Sequence, residues 1–107
     1  MSGHSRKIIL AERARKDLLE ILELSLELWG PQQMDAYAAT IDRTIARLAH
    51  FPDIGAQINH VMPGLRRVRV EHHVVYYSHD DEVVSVHRIL HERRQVTKVQ
   101  FHPESDE

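Results

Sequence analysis

The chain has no cysteine. That excludes disulfides, thiol catalysis and iron–sulfur ligation, and it fits a reducing compartment. Long apolar runs are missing, so no membrane span is expected. The start lacks a basic segment followed by an apolar one, so no export signal is expected and a cytoplasmic location is the reading. Glycine-rich phosphate loops, nucleophile elbows and dinucleotide fingerprints are also missing, which argues against cofactor-bound small-molecule chemistry. Net charge is only −2, so overall charge does not mark a nucleic-acid binder. Glycine and proline are scarce, four of each, and they act as punctuation at Gly30-Pro31, Pro52, Gly55 and Pro63-Gly64.

Between those marks the patterning is clear. At 107 residues the chain reads as one domain, 1–107, large enough to bury a core unaided. Its ordered part is expected to span about 7–94, with a polar, mobile tail over 102–107. Lys7-Ile8-Ile9-Leu10 reads as a first strand. Helix 1 is predicted from Glu12 to Trp29, stopped by Gly30 and Pro31. Ala14, Leu18, Ile21, Leu22, Ser25 and Trp29 share its central apolar face. Leu19 and Leu26 lie on one flank, Leu24 and Leu28 on the other. The apolar arc is about 200° wide, against the ~100° stripe that one core contact needs. One flank can pack on helix 2 while the other is left as a docking strip; alternatively both are buried. Helix 2 starts near Pro31, a residue suited to a first helical position, and ends before Pro52. Met34, Tyr37, Ala38, Ile41, Ile45 and Leu48 form its stripe, with Met34 and Tyr37 read as packing residues. Phe51 to Pro63 reads as loop. Three strands follow, with inward Val68 and Val70, then Val74 and Tyr76, then Val84 and Val86. Asp80-Asp81 makes the last hairpin turn. The expected fold is α+β: an N-terminal strand, an antiparallel helical hairpin and a three-stranded antiparallel meander, with the helices on one face of the sheet.

The charges are unevenly placed. From Val61 to Arg94 there are six arginines, at 66, 67, 69, 88, 93 and 94, and three of the five acids there cluster at Asp80, Asp81 and Glu82. The strand faces are therefore basic. Asp17, Glu20, Glu23 and Glu27 on helix 1 read as solvated surface. Nine histidines invite a metal reading, and His87 and His91 have helical i,i+4 spacing. On a strand, four residues span about 13 Å, too far for ligands held at about 2 Å from one ion. No metal site and no cofactor are expected. A ribonuclease would need a base, an acid and cations for the transition-state phosphate. His91, Glu92, Arg66, Arg69 and Arg88 are of the right types, with Tyr76 or Tyr77 for base stacking, but no spacing demands that use.

Taken in order, these segments resemble a known family. Asp17-Leu18, Trp29-Gly30, Tyr37, Leu48, Phe51-Pro52 and Gly55 are similar to the helical half of the ParE branch of the RelE/ParE toxin superfamily. Pro63-Gly64-Leu65-Arg66, His73-Val74-Val75-Tyr76-Tyr77 and Val86-His87-Arg88-Ile89-Leu90-His91 are similar to its strand half. The resemblance covers about Lys7 to Arg94. It implies the toxin of a type II toxin–antitoxin operon. Its implied partner is a ParD-like antitoxin with a ribbon-helix-helix end and a helical tail, so that DNA is met only through the antitoxin. The spare flank of helix 1 (Leu19, Leu26 or Leu24, Leu28) would receive that tail. The implied target is DNA gyrase, inhibited by binding rather than by catalysis, with Arg66, Arg67, Arg69, Arg88, His91, Arg93 and Arg94 as the target-binding set. His91, Arg93 and Arg94 match a common ParE ending. The alternatives are a RelE-like ribosome-dependent mRNA endoribonuclease, using His91, Arg66, Arg69 and Arg88, and an inactive relative that only binds antitoxin.

Overall fold

The computed structural model describes residues 5–101. A short strand β1 (Lys7–Leu10) leads into two helices, α1 (Glu12–Trp29) and α2 (Pro31–Leu48). Gly30 is the only residue between them. It adopts φ +90°, a conformation that glycine enters without the Cβ penalty. Its N–H donates to the Leu26 carbonyl at 2.9 Å, and its own carbonyl accepts from Met34 N–H at 3.1 Å. One glycine thus closes α1 and opens α2, and Pro31 supplies the preset φ of a first helical residue.

The remainder forms β2 (Ala56–Gln57), β3 (Arg66–Val70), β4 (His73–His79) and β5 (Val83–His91). The sheet has five strands in the order β1-β5-β4-β3-β2. β1 runs parallel to β5, and the other pairs are antiparallel. The α+β meander is therefore extended by one strand on each side. β2 lies inside the stretch expected to be loop. Two residues are too short to show the period-2 alternation that marks a strand.

Two cores sandwich the sheet. On the helix side Ala14, Ile41, Ile45 and Leu48 meet Val70, Val75, Tyr77, Val84, Val86 and Ile89. On the far side Val74, Tyr76 and Leu90 are covered by Val61 and Leu65, with Ile58, Met62, Val96 and Phe101 packed around them. All four of Val74, Val75, Tyr76 and Tyr77 are consequently buried. Past Arg94, Val96 and Phe101 lie on this second core; the expected mobile tail, 102–107, falls outside the described residues.

The pairing of β4 with β5 slips by one residue between Tyr76 and Tyr77, so that Tyr76 faces Arg88 and Tyr77 faces Val86. His87 is the extra residue, a bulge that reverses the alternation beyond it. Val84 and Val86 face the helices before the bulge, and Ile89 faces them after it.

Candidate functional site

β1 ends opposite Val86, which leaves the last residues of β5 without a strand neighbour on that side. α1 supplies the missing partner. The Asp17 carboxylate accepts from Ile89 N–H at 3.0 Å and from Arg88 Nε and Nη2 at 2.8 and 3.0 Å. Asp17 is 8% and Arg88 4% exposed, so this is a buried, bidentate charge pair. Arg88 also reaches the Gln100 carbonyl at 3.4 Å. Two expectations change here. Asp17 is not solvated surface, and Arg88 is not part of an exposed target-binding or catalytic face, because its guanidinium is spent on tying α1 to β5.

The clamp fixes where the helical hairpin lies. Asp17 sits beside Ile89, near the end of β5, and the helix continues to Trp29. Twelve further residues at 1.5 Å each carry the hairpin about 18 Å on. Trp29, expected on the buried face, is 68% exposed for this reason. Both leucine flanks are open as well: Leu19 61%, Leu24 54%, Leu26 45% and Leu28 60%. Neither flank packs away against α2, so the two alternatives considered from sequence both give way to an α1 that is apolar and open on two sides.

Beneath the overhang is a groove of about 600 Å³ between the hairpin and the β3–β4 turn. Ile21, Leu24, Leu28 and Trp29 form its apolar wall; Tyr37, His73, His91 and Arg94 lie at its polar end. His73 and His91 are direct cross-strand partners, with ring centroids 5.4 Å apart at 80°. Tyr37, read from sequence as packing, does more than pack. Its hydroxyl donates to the Val70 carbonyl at 3.1 Å and lies 2.6 Å from His73 Nδ1. Burial is the main cause that raises the Tyr37 phenol to about 12. Burial first, then His91 and His72, holds His73 below the ordinary histidine range.

The remaining arginines divide into two groups. Arg66 is bound into the fold: its guanidinium donates to the Asp53 and Gly55 carbonyls at 3.1 and 2.7 Å and pairs with the Asp53 carboxylate at 3.3 Å. Arg69 donates to the Glu71 carbonyl at 2.8 Å and pairs with Glu92. Glu92 also receives His72, and that bond, followed by Arg69, holds its carboxyl below the usual range. Arg67, Arg93 and Arg94 are exposed, and Arg93 and Arg94 have no ion-pair partner among the described residues.

The groups named for a ribonuclease do not converge on one point, although Arg69 and Glu92 meet in an ion pair. Arg66 is level with Tyr77 and Val86, whereas His91 is level with His73 and Val70. The two rows are about 13 Å apart at strand spacing. Arg88 is buried. Tyr76 and Tyr77, offered for base stacking, are 2% and 0% exposed. The Tyr77 hydroxyl donates to the Pro52 carbonyl at 2.7 Å and accepts Gly55 N–H at 2.9 Å. His87, one half of the histidine spacing, is hydrogen-bonded to Ser78 at 2.8 Å. Among the described residues no group of three or more His, Cys, Asp or Glu side chains could hold a metal ion. No helix of the described residues is long and apolar enough to cross a membrane.

Sequence reasoning missed the Asp17 clamp and the Tyr37–His73–His91 cluster. For the clamp a signal existed: Asp17 lies between Ala14 and Ile21 at i+3 and i+7 spacing, on the buried stripe itself. The cluster depends on strand register, which no local pattern shows.

Comparison with known proteins agrees with this architecture. Residues 8–96 match the family model described as the ParE toxin of the type II toxin–antitoxin system, parDE. Toxin ParE1 of Mycobacterium tuberculosis is 30% identical over 95 residues, covering 88% of this chain and 97% of that protein. Toxin ParE of Escherichia coli is 36% identical over 86 residues, covering 79% of this chain and 84% of that one. A chain of the solved chromosomal ParDE system from P. aeruginosa superposes with a TM-score of 0.71 at 20% identity, covering 83% of this chain and 98% of its own. With the family model spanning most of the chain and two relatives at this level of identity, the chain belongs to the ParE toxin family of type II toxin–antitoxin systems.

Proposed function

We propose that this ParE-family toxin acts by binding DNA gyrase, without catalysis of its own, and is neutralised by a ParD-like antitoxin whose helical tail docks along α1. The observation that carries the docking half is the pair of open leucine flanks on one helix. Exposed apolar surface of this kind is what an amphipathic helix in a groove buries. The relatives' names and the ParDE title of the similar structure support the same partner class.

For the target face the favoured residues are Arg67, Arg93, Arg94 and His91. All four are exposed, with Arg67 also hydrogen-bonded to Tyr76; Arg66 and Arg88 are held within the fold, and Arg69, itself exposed, pairs with Glu92. Exposed cations of this kind steer association with an anionic target surface. A binding mechanism also fits the scatter of the candidate ribonuclease residues over rows about 13 Å apart.

The test is induction in cells without antitoxin. Double-strand breaks with an SOS response, relieved by co-expressed antitoxin, support gyrase poisoning. Immediate translation arrest with cut transcripts points to the ribosome instead. Normal growth with antitoxin binding retained points to an inactive relative.

A further inference from the structure

Leu24 and Leu28 form part of the groove wall, but Leu19, Leu22 and Leu26 lie on the other flank of α1 and do not line it. Arg15, Leu19, Leu22, Leu26 and Trp29 follow one another at steps of four, three, four and three residues. That is the 3.5-residue repeat of a coiled-coil seam. Leu19, Leu26 and Trp29 are exposed and Leu22 is half-buried, so the seam has no complete partner within the chain. The charges beside it change sign along the helix: Arg15 and Lys16 stand near its start, Glu23 and Glu27 near its end. All four are exposed, and none has an ion-pair partner among the described residues. Lys16 and Glu23 share one edge of the seam, yet seven residues at 1.5 Å each hold them about 10 Å apart, too far to pair with each other.

A second copy of α1, laid antiparallel across a two-fold axis midway between Leu19 and Leu22, satisfies both the seam and the charges. Leu19 then meets Leu22 of the second copy, and Leu26 meets the alkyl stem of its Arg15. Lys16 faces Glu23 of the second copy, and the symmetry repeats that pair on the other side of the axis. The axis falls at the middle of α1 (Glu12–Trp29), so the two helices overlap over their full length. A parallel pair would instead set Arg15 against Arg15 and Lys16 against Lys16. We propose that the Leu19–Leu22–Leu26 seam is a self-association surface through which two copies of the toxin pair by antiparallel α1 helices. The antitoxin is assigned the opposite, Leu24–Leu28 flank, and the self-association does not depend on that docking reading.

Sedimentation equilibrium of the purified full chain, without antitoxin, tests the pairing. The expected result is a monomer–dimer equilibrium with a dissociation constant of about 10–100 µM, as suits a single small seam. Lys16→Glu sets acid against acid at two symmetric places and should weaken association about tenfold. Glu23→Lys should do the same by setting base against base. Lys16→Glu with Glu23→Lys in one chain restores opposite charges across the axis and should recover the native constant within about twofold. An equal mixture of the two single variants should also recover it, as a heterodimer. Leu19→Glu with Leu26→Glu, both at exposed positions, should leave a monomer at about 500 µM with an unchanged circular dichroism spectrum. A native toxin that stays monomeric at about 500 µM would overturn the proposal. Charge reversals that weaken association but do not rescue one another would overturn it too. A monomeric toxin whose Leu19→Glu, Leu26→Glu variant no longer binds antitoxin would give this flank to the antitoxin instead. Failure of the docking reading shows separately, as antitoxin binding that Leu24→Glu with Leu28→Glu leaves intact.

Discussion

Replacing Asp17 by alanine should damage this protein more than any surface change, because three donors lose one acceptor at once. The Asp17 carboxylate holds Arg88 Nε, Arg88 Nη2 and Ile89 N–H, and the pair is almost fully buried. Removing one partner of a buried ion pair costs about 3–5 kcal/mol, because the other charge is stranded. A domain of this size has about 5–15 kcal/mol in total, so Asp17→Ala should remove a large share of the stability. One other partner of Arg88, the Gln100 carbonyl, is a weak one at 3.4 Å. Replacing both residues with apolar ones of similar volume, Asp17→Leu with Arg88→Met, should cost less than Asp17→Ala alone, because no charge is left stranded. Urea unfolding followed by circular dichroism measures both. A loss below about 1 kcal/mol for Asp17→Ala, or a double variant worse than the single one, would refute the clamp and the assignment of Arg88 to structure rather than to the target face.

Four further outcomes are expected. Leu24→Glu with Leu28→Glu should weaken antitoxin binding at least a hundredfold by isothermal titration while leaving thermal stability nearly unchanged, since each buried leucine is worth about 1.5–3 kcal/mol and both are exposed in the free toxin. Arg93→Ala should relieve growth inhibition while antitoxin affinity stays within about twofold, because Arg93 is exposed and, unlike Arg94, does not line the groove beneath α1; parallel loss of both would mean one surface serves both partners. Gly55→Ala should destabilise by more than about 1 kcal/mol in denaturant titration, because its Cβ would lie 2.5 Å from the Tyr77 hydroxyl and 2.7 Å from the Arg67 carbonyl. Burial raises the Tyr37 phenol to about 12, so the fold favours its neutral form. That contribution is present below the unfolded value near 10 and is lost as pH rises to about 12. Tyr37→Phe should flatten the alkaline arm of the stability–pH curve; Tyr76 and Tyr77, also raised by burial, will keep part of it.

The helices were legible because their signals are local. Gly30-Pro31 ends one helix and starts the next, and the apolar positions repeat at helical spacing. β4 and β5 were legible from their apolar runs, and their hairpin from Asp80-Asp81. There the Asp80 carboxylate accepts the N–H groups of Glu82 and Val83 at 2.8 Å each. What local pattern could not show was pairing. The parallel join of β1 to β5, the two-residue β2 and the bulge at His87 all depend on distant chain. The bulge decides which residues of β5 meet the helices, and the cut end of β1 leaves Ile89 N–H for Asp17. The arginines misled for a related reason. A charged residue on a strand reads as surface, and only the tertiary structure shows that Arg88 lies under α1 and Arg66 against Pro52–Ile54. Trp29 misled in the opposite sense: helical phase put it inward, but the sheet stops short of it.

The measurement that bears most directly on the central claim is a gyrase supercoiling and cleavage assay with purified toxin, alone and with its antitoxin. Binding-based poisoning predicts inhibited supercoiling with trapped cleaved DNA, reversed by stoichiometric antitoxin and weakened by Arg93→Ala with Arg94→Ala. Folded toxin that leaves gyrase untouched, while cutting messenger RNA on ribosomes, would contradict it.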